Sequence, residues 1–151
     1  MKALIVDDEP DIREELSEFV EDLGIAVETA VNGEEALAKF YADPDIAIVL
    51  SDLMMPGLNG LDMLENMNIE PEGKARVKRV IFMTGNGNTQ SVIRAMHLGA
   101  TEFLLKPVDL NLLEKHILSA RKWIAAERSR RAQEAALKEQ ISFNEVEISS
   151  L

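Results

Sequence analysis

Asp7 and Asp8 stand side by side after the apolar run Ala3-Leu4-Ile5-Val6, and Asp52 follows a second such run, Ile46 to Leu50, after Ser51. Thr84 closes Val80-Ile81-Phe82-Met83, and Lys106 closes Glu102-Phe103-Leu104-Leu105. Three carboxylates gathered in one place repel one another. A pair about 4 Å apart, at an effective dielectric of about 20, costs on the order of 4 kcal/mol. Such a cluster needs counter-charge, and an acidic, oxygen-only donor set suits Mg2+, with Mn2+ the alternative. A lysine adds a compact positive charge able to hold a phosphoryl oxygen, and a threonine hydroxyl can donate to another. Cation, lysine and hydroxyl together neutralise the equatorial oxygens of a phosphoryl group in transfer. A carboxylate can then act as nucleophile and form an aspartyl phosphate.

That chemistry requires elements that bring distant residues to one rim. Apolar runs of four or five residues alternate with amphipathic stretches through most of the chain. Ile12, Leu16, Phe19, Val20 and Leu23 form one helical face, with Pro10 suited to the first turn and Gly24 to the stop. Ile25 to Ala30 reads as an edge strand, and Asn32-Gly33 as the turn before a helix with Ala36, Leu37, Phe40 and Tyr41 inward. Ile46 to Leu50 is apolar on both faces, the mark of a strand inside a parallel sheet. Leu61, Leu64 and Met67 belong to a third helix. Val92, Ile93, Met96 and Leu98 belong to a fourth, closed by Gly99, and Leu110, Leu113, Ile117, Ala120 and Ile124 to a fifth. Five strands alternating with five helices predict an α/β fold, a doubly wound five-stranded parallel sheet with its last helix extended. In such sheets ligands bind outside the carboxyl ends of the strands. Asp7, Asp8, Asp52, Thr84 and Lys106 all fall there. Singly, each has an ordinary explanation: an aspartate as turn former or cap, Thr84-Gly85 as a turn, Lys106-Pro107 as a strand end. Together at one rim they do not.

These residues carry a resemblance. Leu4-Ile5-Val6-Asp7-Asp8-Glu9, then Leu50 through Gly60, then Met83-Thr84-Gly85, then Phe103-Leu104-Leu105-Lys106-Pro107 resemble the response-regulator receiver domain of two-component signalling, over residues 2 to about 122. The resemblance implies a flavodoxin-like receiver fold and a phosphorylation-dependent switch. Asp52 would be the phosphoacceptor. Asp8 and Asp52 would ligate Mg2+ directly with the main-chain carbonyl of Met54, and Asp7 largely through water. Thr84 and Lys106 would contact the phosphoryl group, and Thr84 and Phe103 would be the coupled switch pair. The Lys106-Pro107 bond would be cis. The donor would be a sensor histidine kinase or a histidine phosphotransfer protein, and the output the face formed by the fourth helix, fifth strand and fifth helix. Phe103 stands where tyrosine is also common, which removes a hydroxyl. The alternative is an enzyme, a Mg2+-dependent aspartyl-phosphate phosphatase or phosphotransferase. Against it, the position two residues after Asp52, where such hydrolases commonly have a second aspartate, is Met54. His97 and His116 have no metal-ligand partners at useful spacing, and Asp62 reads as a first-turn residue favoured by the helix dipole.

Composition narrows the partners. Net charge is -11, an acidic balance that disfavours direct nucleic-acid binding by this region. No stretch approaches the roughly 20 apolar residues of a membrane span, and the absence of cysteine agrees with a reducing cytoplasm. Residues 1–120 hold ten basic and twenty-two acidic side chains, while residues 121–151 hold six and five. The charge shift and the resemblance suggest a receiver domain over 1–122 and a helical extension and tail over 123–151. Residues 125–139 are nearly all strong helix formers, so the last helix should run past the core without a break. The tail from Ser142 to Leu151 is expected to be loosely ordered unless a partner holds it. A projecting helix is marginal in water, so a homodimer through it, or continuation into an output domain, is expected.

Overall fold

The fold is described from a computed structural model, which covers residues 1–69, 76–85 and 89–149. The elements run β1 (Lys2–Val6), α1 (Pro10–Asp22), β2 (Ala26–Ala30), α2 (Gly33–Ala42), β3 (Ile46–Asp52), α3 (Gly60–Met67), β4 (Arg79–Thr84), α4 (Thr89–His97), β5 (Glu102–Leu105) and α5 (Leu110–Ser149). The five strands make one parallel sheet in the order β2-β1-β3-β4-β5. All seven residues of β3 are buried, as its two-sided apolar pattern requires at the centre of a helix-covered sheet. β2, with the most polar pattern, lies at an edge.

Alternation along the strands divides the core in two. Ala3, Ile5, Ile48, Leu50 and Ile81 meet Leu16 and Val20 of α1 and Leu113, Ile117, Ala120 and Ile124 of α5. On the other face, Leu4, Val6, Val49, Val80 and Phe82 meet Phe40 of α2, Leu64 and Met67 of α3 and Ala95 of α4. Local chemistry sets the helix ends. Pro10 occupies the first turn of α1, the Asn32 side chain accepts from the Glu35 N–H, and the Asn59 side chain accepts from the Asp62 N–H.

Two expectations need correction. Tyr41 is not inward: its ring packs edge-on to Phe40 while its hydroxyl donates to the Asn66 carbonyl, a partner that keeps the phenol at the surface. On α4, for which the spacing named no inward face, Ala95 is buried while Ile93 and Met96 turn outward. The tail is not loose through Ser149, because no glycine or proline stops α5. Ser150, Leu151 and much of the connection from Asn68 to Arg79 lie outside the described residues.

At 40 residues α5 is about 60 Å long, far more than the sheet can cover. Among its residues whose burial is described, the last buried one is Ile124. Where it leaves the body, the Arg79 guanidinium sits 3.6 Å over the Trp123 ring and the Arg121 guanidinium donates to the Leu23 carbonyl. These contacts hold the exit direction. The cation–π contact alone contributes on the order of 1 kcal/mol.

One glycine matters for the site. A Cβ on Gly60 would lie 2.7 Å from the Phe82 ring and 2.9 Å from the Asp52 carbonyl oxygen. Gly60→Ala is therefore expected to cost about 1–3 kcal/mol in urea denaturation, with the loss arising from displaced backbone at Asp52.

Candidate functional site

The sheet order reverses between β1 and β3. The chain goes from β1 outward to β2, then returns to build β3 on the other side. The loops after β1 and β3 thus diverge and leave a crevice between them. Val6 pairs with Ser51, so the next residues, Asp7 and Asp52, face each other across that crevice. Asp7 is wholly buried, Asp52 nearly so, and Asp8 is exposed at the mouth.

One ligand oxygen from each of Asp7, Asp8 and Asp52 can be chosen so that all lie within 4.8 Å of one another. Counter-charge comes from β5. The Lys106 Nζ donates to Asp7 Oδ2 and to Asp52 Oδ2, each at 2.9 Å. β5 lies two strands from β3, roughly 10 Å away, so a long side chain is needed to make this reach. Burial works against the Lys106 charge, but the hydrogen bonds and charges of Asp7 and Asp52 outweigh it and raise its pKa above the ordinary lysine value. A raised lysine contributes stability throughout the pH range below its ordinary titration and loses it only above.

The other carboxylate oxygens are held by backbone. Asp7 Oδ1 accepts from the Glu9 N–H at 2.9 Å, and Asp52 Oδ1 from the Met54 N–H at 3.1 Å. Each oxygen so far has one donor and two lone pairs, which leaves room for a cation on the same atoms. The three carboxylates are hard oxygen donors of the kind Mg2+ takes.

Thr84 ends β4 and is buried at the rim, and its carbonyl accepts from the Lys106 N–H at 2.9 Å. Phe103 is half-buried, pairs in register with Phe82, and packs on that ring at 5.8 Å between centroids. Since Phe82 and Thr84 share a strand face, Phe103 lies on the same side of the sheet as the Thr84 side chain. The Lys106–Pro107 peptide is cis. Met54 is exposed, beside the mouth. His97 is exposed, and His116 lies 3.7 Å from Glu102, away from the rim.

Sequence reasoning did not find two supporting residues. Arg13 donates to the Asp7 carbonyl at 2.8 Å, fixing the backbone that carries both aspartates. Gly60 admits the Asp52 carbonyl. Arg13 sits at the end of the first turn of α1 and carries no local signal. Gly60 stood in the resemblance, but its role depends on a contact with Phe82 and Asp52 that no spacing shows.

A model of the response regulator receiver domain matches residues 3–118. The chain is 40% identical over 106 residues to the two-component response regulator PprB of Pseudomonas aeruginosa, covering 70% of this chain and 38% of that protein. It is 35% identical over 105 residues to the transcriptional regulatory protein FixJ of Azorhizobium caulinodans, covering 70% and 47%. The chain thus spans less than half the length of these relatives. Among solved structures it resembles a response regulator receiver domain protein from Clostridium thermocellum, at 34% identity and TM-score 0.71, covering 84% of this chain and 96% of that one. The chemotaxis protein CheY4 of Vibrio cholerae is similar at 28% identity and TM-score 0.71, covering 79% and 97%.

Lys106→Met leaves the buried carboxylates without their cation. In chelator it is expected to lower unfolding free energy by about 1–3 kcal/mol, and added Mg2+ should restore more stability to this variant than to wild type. Urea denaturation with and without Mg2+ reads both effects.

Proposed function

The chain belongs to the response regulator receiver domain family, and on that footing we propose that it is a two-component switch turned by phosphorylation of Asp52. The observation that carries this is the Lys106 ammonium bound to both Asp7 and Asp52 at the sheet's crevice, with Asp8 at its mouth. Asp52 is the phosphoacceptor. One of its carboxylate oxygens forms the new O–P bond as the N–P bond of a phosphohistidine breaks, and the imidazole leaves with the electron pair. The donor is a sensor histidine kinase or a histidine phosphotransfer protein. Mg2+, when bound, neutralises charge on the phosphoryl oxygens. Asp8, Asp52 and the Met54 carbonyl would hold it, and Asp7 would act through water. Lys106 then serves one phosphoryl oxygen and Thr84 another.

Output follows from population shift. The phosphoryl group favours whichever arrangement brings the Thr84 hydroxyl to it, and Phe103 moves with Thr84. Supporting this, Ile93 and Met96 of α4 and Leu105 of β5 are exposed apolar residues on the elements that Thr84 and Phe103 adjoin. Residues 1–122 act as the switch and the helix beyond Ile124 as an extension through which two copies associate.

With acetyl phosphate and Mg2+, wild type is expected to gain one phosphoryl group and Asp52→Asn none. An undiminished adduct in the mutant's intact mass would refute the assignment. Amide NMR of the phosphorylated chain should show shifts around Asp52 and also near Phe103. Shifts confined to the surroundings of Asp52 would remove Phe103 from the switch.

A further inference from the structure

The helix changes character at the point where it leaves the body. Up to Ile124, the residues spaced three and four apart on its inner face are apolar and buried. The same face then continues as Glu127, Arg131, Glu134 and Lys138. These residues, with Arg130, form a ladder: Arg130 to Glu127 and Glu134, Arg131 to Glu127, Lys138 to Glu134. That face has satisfied its own charges and suits water.

About 140° round the helix from this ladder lies a different face, Ala125, Ser129, Ala132, Ala136, Glu139, Phe143 and Val146, spaced four and three alternately. It is exposed over about 33 Å, and Phe143 and Val146 are 68% and 67% accessible. It contains one charge, Glu139, flanked on the first half by Arg128. The occupant of this face can be read from that charge. A parallel, in-register pair of copies would set Glu139 against Glu139, which is destabilising in a helix seam. An antiparallel pair centred between Ala132 and Ala136 sets Glu139 of one copy beside Ser129 and Arg128 of the other, twice by symmetry. It also sets Phe143 against Ala125, large against small, and Ala132 against Ala136, where the helices approach most closely. The two receiver bodies, carrying most of the negative charge, then lie at opposite ends.

We infer that the extension pairs with a second copy of this chain, antiparallel, through the Ala125–Val146 face, with Arg128 and Glu139 fixing the direction. This rests on the self-association proposed above and adds its geometry. Leu137 and Ile141, on the ion-paired side, stay outside the contact.

Sedimentation equilibrium of the full chain tests it, with Glu139→Arg, Arg128→Glu and the double variant beside wild type, helicity being checked by circular dichroism. Each single reversal is expected to weaken dimerisation about tenfold, and the double variant to return close to wild type. In a parallel pair the double variant would still oppose like charges. A second readout uses the lack of cysteine. In an equimolar mixture of Ala132→Cys and Ala136→Cys, oxidation should join the two variants to each other rather than each to itself. A chain that stays monomeric at every concentration overturns self-association itself. Dimers whose double variant is no tighter than the singles, or self-joined cysteines, overturn the antiparallel arrangement alone.

Discussion

The Lys106 ammonium, held at 2.9 Å by both Asp7 and Asp52, is the contact on which the rest of the site depends. Two buried carboxylates facing each other across neighbouring strands would otherwise cost several kcal/mol. Lys106 offsets that repulsion without occupying every lone pair, so the same oxygens remain able to take a cation. Its bond to two strands from a third also ties the edge of the sheet to its centre. The charge balance is thus stability and poised chemistry at once, since anything that draws Lys106 toward a new anion alters what holds β5.

Such a balance works only on a rigid frame. β1, β3 and β4 are buried on both faces and paired in register, so Asp7 and Asp52 inherit their separation from the strands rather than from flexible loops. The frame is finished by backbone donors: the amides of Glu9 and Met54 orient the carboxylates, and Arg13 fixes the Asp7 carbonyl. Thr84 and Phe103 sit on one face of the same frame, next to the edge, where packing is less complete and Phe103 is only half-buried. A change at the crevice can therefore be accommodated at the edge at lower cost than in the centre.

The last helix applies the same physics in two settings. While it lies on the sheet, its inner face is apolar because burial favours it there. Beyond Ile124 that face meets water and becomes an ion-pair ladder, and small and apolar residues move to another face. Each exposed pair of the ladder contributes only a few tenths of a kcal/mol. The ladder supports the helix, but does not by itself account for an isolated projection of this length.

By itself the amino-acid sequence determined the elements and the polar residues that end them at one rim, because both are written in local pattern. Two-sided apolar runs mark central strands, the 3–4 spacing marks helices, and Asp7, Asp8, Asp52, Thr84 and Lys106 are visible as polar residues at the ends of those runs. Helix formers without a break foretold the length of α5, though not its persistence through the Ser142–Ser149 segment. What the tertiary structure alone decided were matters of distance and facing. That Asp7 is buried while Asp8 is exposed, that Lys106 bridges Asp7 and Asp52, that Arg13 and Gly60 serve the site, and that Tyr41, Ile93 and Met96 face outward all depend on which elements lie side by side. Periodicity says that a helix has an inner face. Only packing against a neighbour of fixed shape says how wide that face is and which residue, such as Ala95 rather than Met96, fits beneath it.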